Sequence, residues 1–401
     1  MSSTRIPTNL VISQLANDIV RKQSSMAEVQ EQIASGKKVN RPSDAPAHSA
    51  QLINMQEVQG RLEQYERNAM SAESQLSLEE NALAETSNSL MRIRDLALGS
   101  NSGVVDDLTR QAYNSELKLR LKELYGLANS KDSYGNYLFG GTNSQNRPFT
   151  PGQPVNYAGS DDSLQITIAP GRMLQTGDSG ADVYMRIRNG NGTFSARADS
   201  TNTGTGVIQA GSVTDISLYD ATPYEIRFTS ATNFDIVDMN SGATVQAGVT
   251  YKADENIEFS SIKTSISGKP QAGDVFAIEP SQNQDLFTTV DRFIEALDSS
   301  PTSASDKAKL QQEVVNVVTD LDRTLDHINR IRSSVGARMN IIDSSREEHA
   351  GMELQLNRNR SDIEDADIAE AVTKLQTRAT ALEILHKSFT RIEGLTLFNF
   401  L

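Results

Sequence analysis

Asp362, Glu364, Asp365 and Asp367 crowd four carboxylates into six positions of the stretch "SDIEDAD" (Ser361–Asp367). Oxygen ligands at that density suit a hard cation such as calcium, but the glycine-bearing loop of an EF-hand is missing. Ser361 followed by Glu364 is a capping-box pair, and Asp362, Asp365 and Asp367 favour a helix N-terminus through the macrodipole. The cluster therefore reads as the start of a helix and not as a metal site. The histidines, His48, His327, His349 and His386, are scattered, and no pair has the His-Glu-x-x-His spacing of a zinc enzyme. "NGNGTF" (Asn189–Phe194) and "GTGVIQAG" (Gly204–Gly211) are glycine-rich. Ser195 and Gln209 stand where a dinucleotide fingerprint needs its third glycine, so both read as turns. Neither a G-x-S-x-G elbow nor a P-loop occurs. A glycosidase-type carboxylate pair depends on spatial proximity, which sequence leaves open. The expectation is a protein that is not an enzyme, with no catalytic, cofactor-binding or metal-ligating residues.

Composition narrows the class further. The formal net charge is −14 over 401 residues, which excludes the basic stripe that would neutralise nucleic-acid phosphates. No run of 18 apolar residues is available to span a bilayer, so no membrane insertion is expected. The opening "MSSTRIPTNLVISQLANDIV" lacks the charged end and apolar run of a cleavable signal peptide. Export, if any, is expected by a route that does not use one. There is no cysteine, which removes disulfides, thiolate zinc sites and cysteine nucleophiles together. Aromatics make up 5 % and tryptophan is absent, a composition common in long helical assemblies whose narrow seams are filled by Leu, Ile, Val and Ala.

Proline and glycine divide the chain. No proline lies between Pro46 and Pro148 and none follows Pro301, while Gly140–Gln282 holds sixteen of the 25 glycines and seven of the 11 prolines. The plan is helix, strand-rich middle, helix. In the first block Ile12, Leu15, Ile19, Lys22, Met26, Val29 and Ile33 alternate at three and four residues, the a/d stripe of a coiled coil. Gly36 is the expected C-cap, and Pro42 and Pro46 stop the helix. Met55, Leu62, Ala69, Leu76, Leu83, Leu90 and Ala97 then recur every seven residues, a row of roughly 75–80 Å of helix from about Ala47 to Leu98. A shorter helix is expected over about Asp106–Ala128. The closing block repeats the pattern through Leu310, Val314, Val317, Leu321, Thr324, Ile328, Ile331 and Val335, with Arg338, Ser345 and His349 as polar interruptions. After the capping box a last seam runs through Ile368, Leu375, Leu382, Leu385, Phe389 and Ile392, and the chain finishes on apolar Leu395, Leu397, Phe398, Phe400 and Leu401.

The two terminal stripes have similar lengths and neither can bury its face alone. They are expected to pair with each other, and the long helices to pair as an inner bundle. The fold class is thus mainly α, a long coiled-coil bundle formed by the N- and C-terminal segments, with an inserted β-rich domain. Residues 1–42 with 360–401 would be a terminal assembly domain, 43–148 with 283–359 the long bundle, and 149–282 the β-rich outer domain. In the last, "DSLQITIAPG", "DVYMRIRNG", "PYEIRFTS", "TNFDIVDMNSGATVQAG" and "GDVFAIEP" read as strands with turns at Asn189–Gly190 and Asn240–Gly242. A sandwich or open barrel is expected. An isolated pair of terminal helices is marginal in water, so their order is expected to come from neighbouring subunits.

"SGKKVNRPSDAPA" (Ser35–Ala47), "ANSKDSYGNYLFGGTNSQNRPF" (Ala128–Phe149), "SSVGARMNIID" (Ser333–Asp343), "SDIEDADIAEAVTKLQ" (Ser361–Gln376) and the final "LFNFL" occur in the order of the bacterial flagellin superfamily, which this sequence resembles. The Pro42–Pro46 corner and the tail are similar to the superfamily's junction proteins more than to its filament subunits. The resemblance implies a structural subunit of the flagellum. It would form an adapter ring of copies of itself between the first hook-associated protein and flagellin, and would be needed for flagellin to assemble. It also implies export to the extracellular flagellum without a cleavable signal, and a cytosolic export chaperone on the C-terminal region. A filament flagellin, or an adhesin or glycan-binding protein acting through the middle domain, are the alternative readings.

Overall fold

A computed structural model describes residues 8–41, 43–100, 106–299 and 301–397. Among the described residues six α-helices occur: α1 (Thr8–Ser35), α2 (Pro46–Ser100), α3 (Asp107–Ala128), α4 (Leu286–Asp298), α5 (Ala304–Glu364) and α6 (Ile368–Leu397). Their ends follow from local chemistry. Gly36 adopts φ +71°, the left-handed conformation that closes a helix, and its N–H reaches Gln32 O at 2.9 Å. Pro46 occupies the first turn of α2, where a missing N–H costs nothing. Asp106 caps α3 by accepting from Thr109 N at 2.8 Å, and Asp285 caps α4 through Thr288 N at 2.7 Å. Ser303 and Asp306 exchange 3.0 Å bonds at the start of α5.

Three points differ from the sequence reading. Ser361 does not open a helix: α5 continues to Glu364, and the Ser361 hydroxyl turns to the Asp365 carboxylate. The break falls at Asp365–Asp367, because Ala366 N leaves the helical ladder to bond Gly36 O at 2.9 Å, and Asp367 caps α6 through Glu370 N at 3.1 Å. "DVYM" is not a strand. Ala181–Met185 is a π-helical turn in which Arg186 N reaches back to Ala181 O at 3.0 Å. Ser179 Oγ accepts from Asp182 N at 3.2 Å and bonds its Oδ2 at 3.0 Å, fixing the turn so that Val183 and Tyr184 are both buried. α4 was not anticipated as a separate helix.

The described residues form two compact units, one within Met1–Arg67 and Ser345–Leu401 and the other within Asn68–Ser344. The second unit has two cores. In the helical one, the sevenfold row of α2 buries Ala69, Leu76, Leu83, Leu90 and Ala97 against Val314, Val317, Leu321, Ile328, Val335 and Ile342 of α5. Each such Leu, Ile or Val contributes about 1.5–3 kcal/mol by leaving water. Thr324, the polar member of the α5 row, is buried as well and turns its hydroxyl to Asp320 O at 2.8 Å. Short pairings join this core: Phe149–Thr150 with Asn156–Tyr157, Gln165–Ala169 with Arg172–Gln175, and Ile187–Arg188 with Asn283–Gln284. Phe149, Tyr184, Phe287, Phe139 and Tyr125 meet there in stacked and edge-to-face geometry, with Tyr125 and Phe287 4.2 Å apart.

The second core is a β-sandwich. A five-stranded antiparallel sheet in the order Thr244–Thr250, Asn233–Asp238, Tyr224–Ser230, Val275–Pro280, Phe194–Ala198 supplies Phe228, Phe234, Phe276, Ile226 and Ile278. A smaller sheet of Asn256–Phe259, Ile262–Ser267, Val207–Ile208 and Ser212–Val213 supplies Ile257, Phe259, Ile262 and Ile266 to the same cluster. Alternate residues of Ile262–Ser267 are buried, the period of two that a half-buried strand requires. No barrel closes among the described residues. The stretch 149–282 thus feeds both cores. Gln312 of α5 docks on the sandwich as an extra strand residue would. Its Oε1 accepts from Ile208 N at 2.7 Å, and its Nε2 donates to Ile208 O at 3.0 Å. Asp320 accepts from Gly190 N at 2.7 Å and lies near Arg197 and Arg292, while burial pushes its carboxyl up.

Candidate assembly surface on the terminal helices

The motif "SGKKVNRPSDAPA" builds a corner against the end of α5. Lys37 forms an antiparallel bridge with Asp365, Lys38 N donates to Glu364 O at 2.7 Å, and Lys38 Nζ donates to Asp362 O at 2.6 Å. Lys37 Nζ pairs with Glu364 Oε2 at 2.9 Å. Asp44 folds the rest of the turn by accepting from Arg41 N at 2.8 Å and Asn40 N at 3.1 Å. The Arg41 amide in particular holds its carboxyl below the usual range. Of the clustered acids, Glu364 and the Asp362 carbonyl serve this corner, Asp365 takes the Ser361 hydroxyl and Asp367 caps α6. Among the described residues, no group of three or more His, Asp or Glu side chains is placed to hold a metal ion, and no helix is long and apolar enough to cross a membrane.

From the corner α1 and α6 run back side by side and antiparallel, and the Arg378 guanidinium donates to Ser25 O further along the pair. Val29 is buried in this seam. Ile12, Leu15, Ile19, Met26 and Ile33 on α1, and Leu375, Leu382, Leu385 and Phe389 on α6, are half-buried, while Lys22 and Ile368 are exposed. Ile392, Leu395 and Leu397 lie in α6, but their side chains fall outside the described residues, as do Phe398, Phe400 and Leu401 entirely. The seam arithmetic on α6 omitted two members. Ala371 and Arg378 complete an unbroken alternation of three and four from Ile368 to Ile392, and Ala371 is buried. Counting small and polar residues at those spacings would have found both.

The pair leaves apolar surface uncovered. Val20 is 63 % and Ile384 58 % exposed, and Leu10, Ile368 and Val372 are exposed too. Among the described side chains of α1 and α6, only Val29 and Ala371 are fully buried. In the same unit His349 of α5 stacks on Tyr65 of α2 at 5.9 Å, and lines a groove of about 630 Å³ with Leu62, Glu63, Arg67, Ala350 and Glu353. Both ring nitrogens of His349 are buried without a hydrogen-bond partner.

Residues 6–144 match the bacterial flagellin N-terminal helical region, and 318–401 the bacterial flagellin C-terminal helical region. Residues 197–280, which span most of the sandwich, match the D2-like domain of flagellar hook-associated protein 1. The crystal structure of FlgL from Xanthomonas campestris is 32 % identical, with a TM-score of 0.72 over 77 % of this chain and 100 % of that one. The chain belongs to the FlgL family, within the flagellin superfamily. A second FlgL structure, the flagellar junction protein from Legionella pneumophila, is 28 % identical with a TM-score of 0.71, over 78 % of this chain and 99 % of that one. Flagellar hook-associated protein 3 of Salmonella typhimurium is 27 % identical over 183 residues, 46 % of this chain. That match spans 57 % of the Salmonella protein. The FlgL-type architecture of helical ends and an antiparallel β-rich middle is therefore shared, while the resemblance of the sandwich to a hook-associated protein 1 domain adds a point that sequence reading did not supply.

Proposed function

We propose that this FlgL-family chain is a structural subunit of the flagellar hook–filament junction, without enzymatic activity. It assembles with copies of itself into an adapter ring between the first hook-associated protein and flagellin, outside the cell. The observation that carries this reading is the 32 % identity to a FlgL across the whole of that chain. The under-filled α1–α6 pair supports the assembly part. Seams whose described side chains include only Val29 and Ala371 as fully buried are completed by the terminal helices of neighbouring subunits. Ile12, Leu15, Ile19, Met26, Val29 and Ile33 pack with Ile368, Leu375, Leu382, Leu385, Phe389 and Ile392 of the ring. Leu395, Leu397, Phe398, Phe400 and Leu401 form a C-terminal plug that an export chaperone covers in the cytosol. The filament-flagellin and adhesin readings are not favoured: the flagellin regions matched at both ends are shared across the superfamily, and the 32 % identity is to a FlgL. Deletion of the gene tests the function: hooks without filaments, and flagellin released into the medium, are expected. Normal filaments on the deletant overturn the proposal.

A further inference from the structure

Glu79 of α2 lies in the helical core at 2 % exposure, facing a second carboxylate. Its Oε1 accepts from Asp178 N at 3.1 Å, and its Oε2 is buried with no hydrogen-bond partner. The nearby cation, Arg338 of α5, is itself buried and is spent on Asp178 Oδ2, to which it donates directly. Asp178 Oδ1 accepts from Gln175 Nε2 at 2.8 Å, so both oxygens of that carboxylate have donors. On the third side stands the Tyr184 phenol, fully buried and bonded at 3.3 Å to Thr86. Two acids thus share one arginine, Glu79 and Arg338 buried and the Asp178 side chain 19 % exposed, and only Asp178 has that arginine as a direct partner.

We propose that Glu79 is a neutral carboxylic acid in the folded protein, so that folding of the α2–α5 core takes up one proton. An ionised Glu79 would have a desolvated oxygen facing Asp178 with no donor to answer it, whereas the protonated acid carries its own donor. Burial, and then the Asp178 charge, push the Glu79 carboxyl well above its ordinary range, and Arg338 only partly opposes them. The sign follows from linkage. A carboxyl whose folded value is raised contributes most below its unfolded value of about 4.3. Stability is then lost as pH rises from there through the folded value, the folding constant falling about tenfold per pH unit. For a subunit that works outside the cell, a consequence that rests on the junction reading, this sets the alkaline limit at which the core holds.

The test is denaturant unfolding of the full chain from pH 4.5 to 9, with the parent beside Glu79→Gln and Asp178→Asn. Glu79→Gln keeps the acceptor for Asp178 N and supplies an uncharged donor at the orphaned position. It is expected to remove one proton's worth of slope and to exceed the parent in alkali. Asp178→Asn frees Arg338 to face Glu79 and is expected to flatten the slope as well. An unchanged slope in both variants overturns the proposal. Should either variant fail to fold, the infrared band of a buried protonated carboxylic acid in the parent at pH 7 is the second reading. Its presence is expected, and its absence contradicts the assignment. None of these readings depends on motility, so the result is separable from the junction function.

Discussion

Leucine-to-alanine substitutions at Leu83 and Leu382 should separate stability from assembly. Leu83 is fully buried in the α2–α5 core. Its truncation is expected to cost about 3–4 kcal/mol, the transfer of the lost methyls plus a cavity term. Leu382 sits half-buried in the α1–α6 seam. About half the transfer term is at stake there and no cavity is left, so roughly 1 kcal/mol is expected. Urea unfolding followed by far-ultraviolet dichroism reads both values. Because the chain comprises two compact units, a near-ultraviolet tyrosine signal should be fitted alongside as a second probe. Complementation of a deletion strain reads assembly. Leu83→Ala is expected to be unstable yet to support filaments when expressed sufficiently, and Leu382→Ala to be stable yet deficient in filaments. Equal destabilisation by the two changes, or normal swimming with Leu382→Ala and failure only with Leu83→Ala, would refute the division of labour.

Leu382→Asp should abolish filament growth while export continues, because it puts a carboxylate where the seam packs apolar side chains, and immunoblots of the medium against electron micrographs check both halves. Gln312→Ala strips Ile208 of both partners for its N–H and C=O. A loss of about 1–3 kcal/mol is expected in denaturant unfolding, with new amide exchange at 207–208. Asp367→Ala removes the α6 cap and is expected to cost about 1 kcal/mol of helix stability, read as faster exchange over Ala371–Leu375.

What was legible in the sequence was whatever repeats. The sevenfold row on α2 predicted a buried stripe because one helix packed along another must present the same face every two turns, and Leu62 through Ala97 are buried as that requires. The terminal seams were legible for the same reason, except that counting only large apolar residues passed over Ala371 and Arg378. α4 carried its own signals, an Asp285 cap and apolar Leu286, Phe287, Val290, Phe293, Ile294 and Leu297 at helical spacing, which the broad assignment of 283–359 absorbed. Local ambiguity misplaced two details. Val183, Met185 and Ile187 alternate as a strand does, and only the Ser179–Asp182 bonds and the helical core make a π-turn of them. Ser361 and Glu364 have capping-box spacing, but the corner built by Gly36 and Lys38 takes the backbone bonds that decide where the helix breaks. Pairings remote in sequence left no trace. Nothing local marks Glu79 for Asp178 or Gln312 for Ile208, or assigns residues 149–188 to the helical core.

The central claim is that α1 and α6 are completed by neighbouring subunits. Amide hydrogen exchange over residues 10–33 and 368–392, in the free monomer and in flagella carrying the assembled protein, tests it most directly. Fast exchange in the monomer and strong protection in the flagellum are predicted, with the α2–α5 core protected in both. Strong protection of the terminal helices in the free monomer would contradict the account.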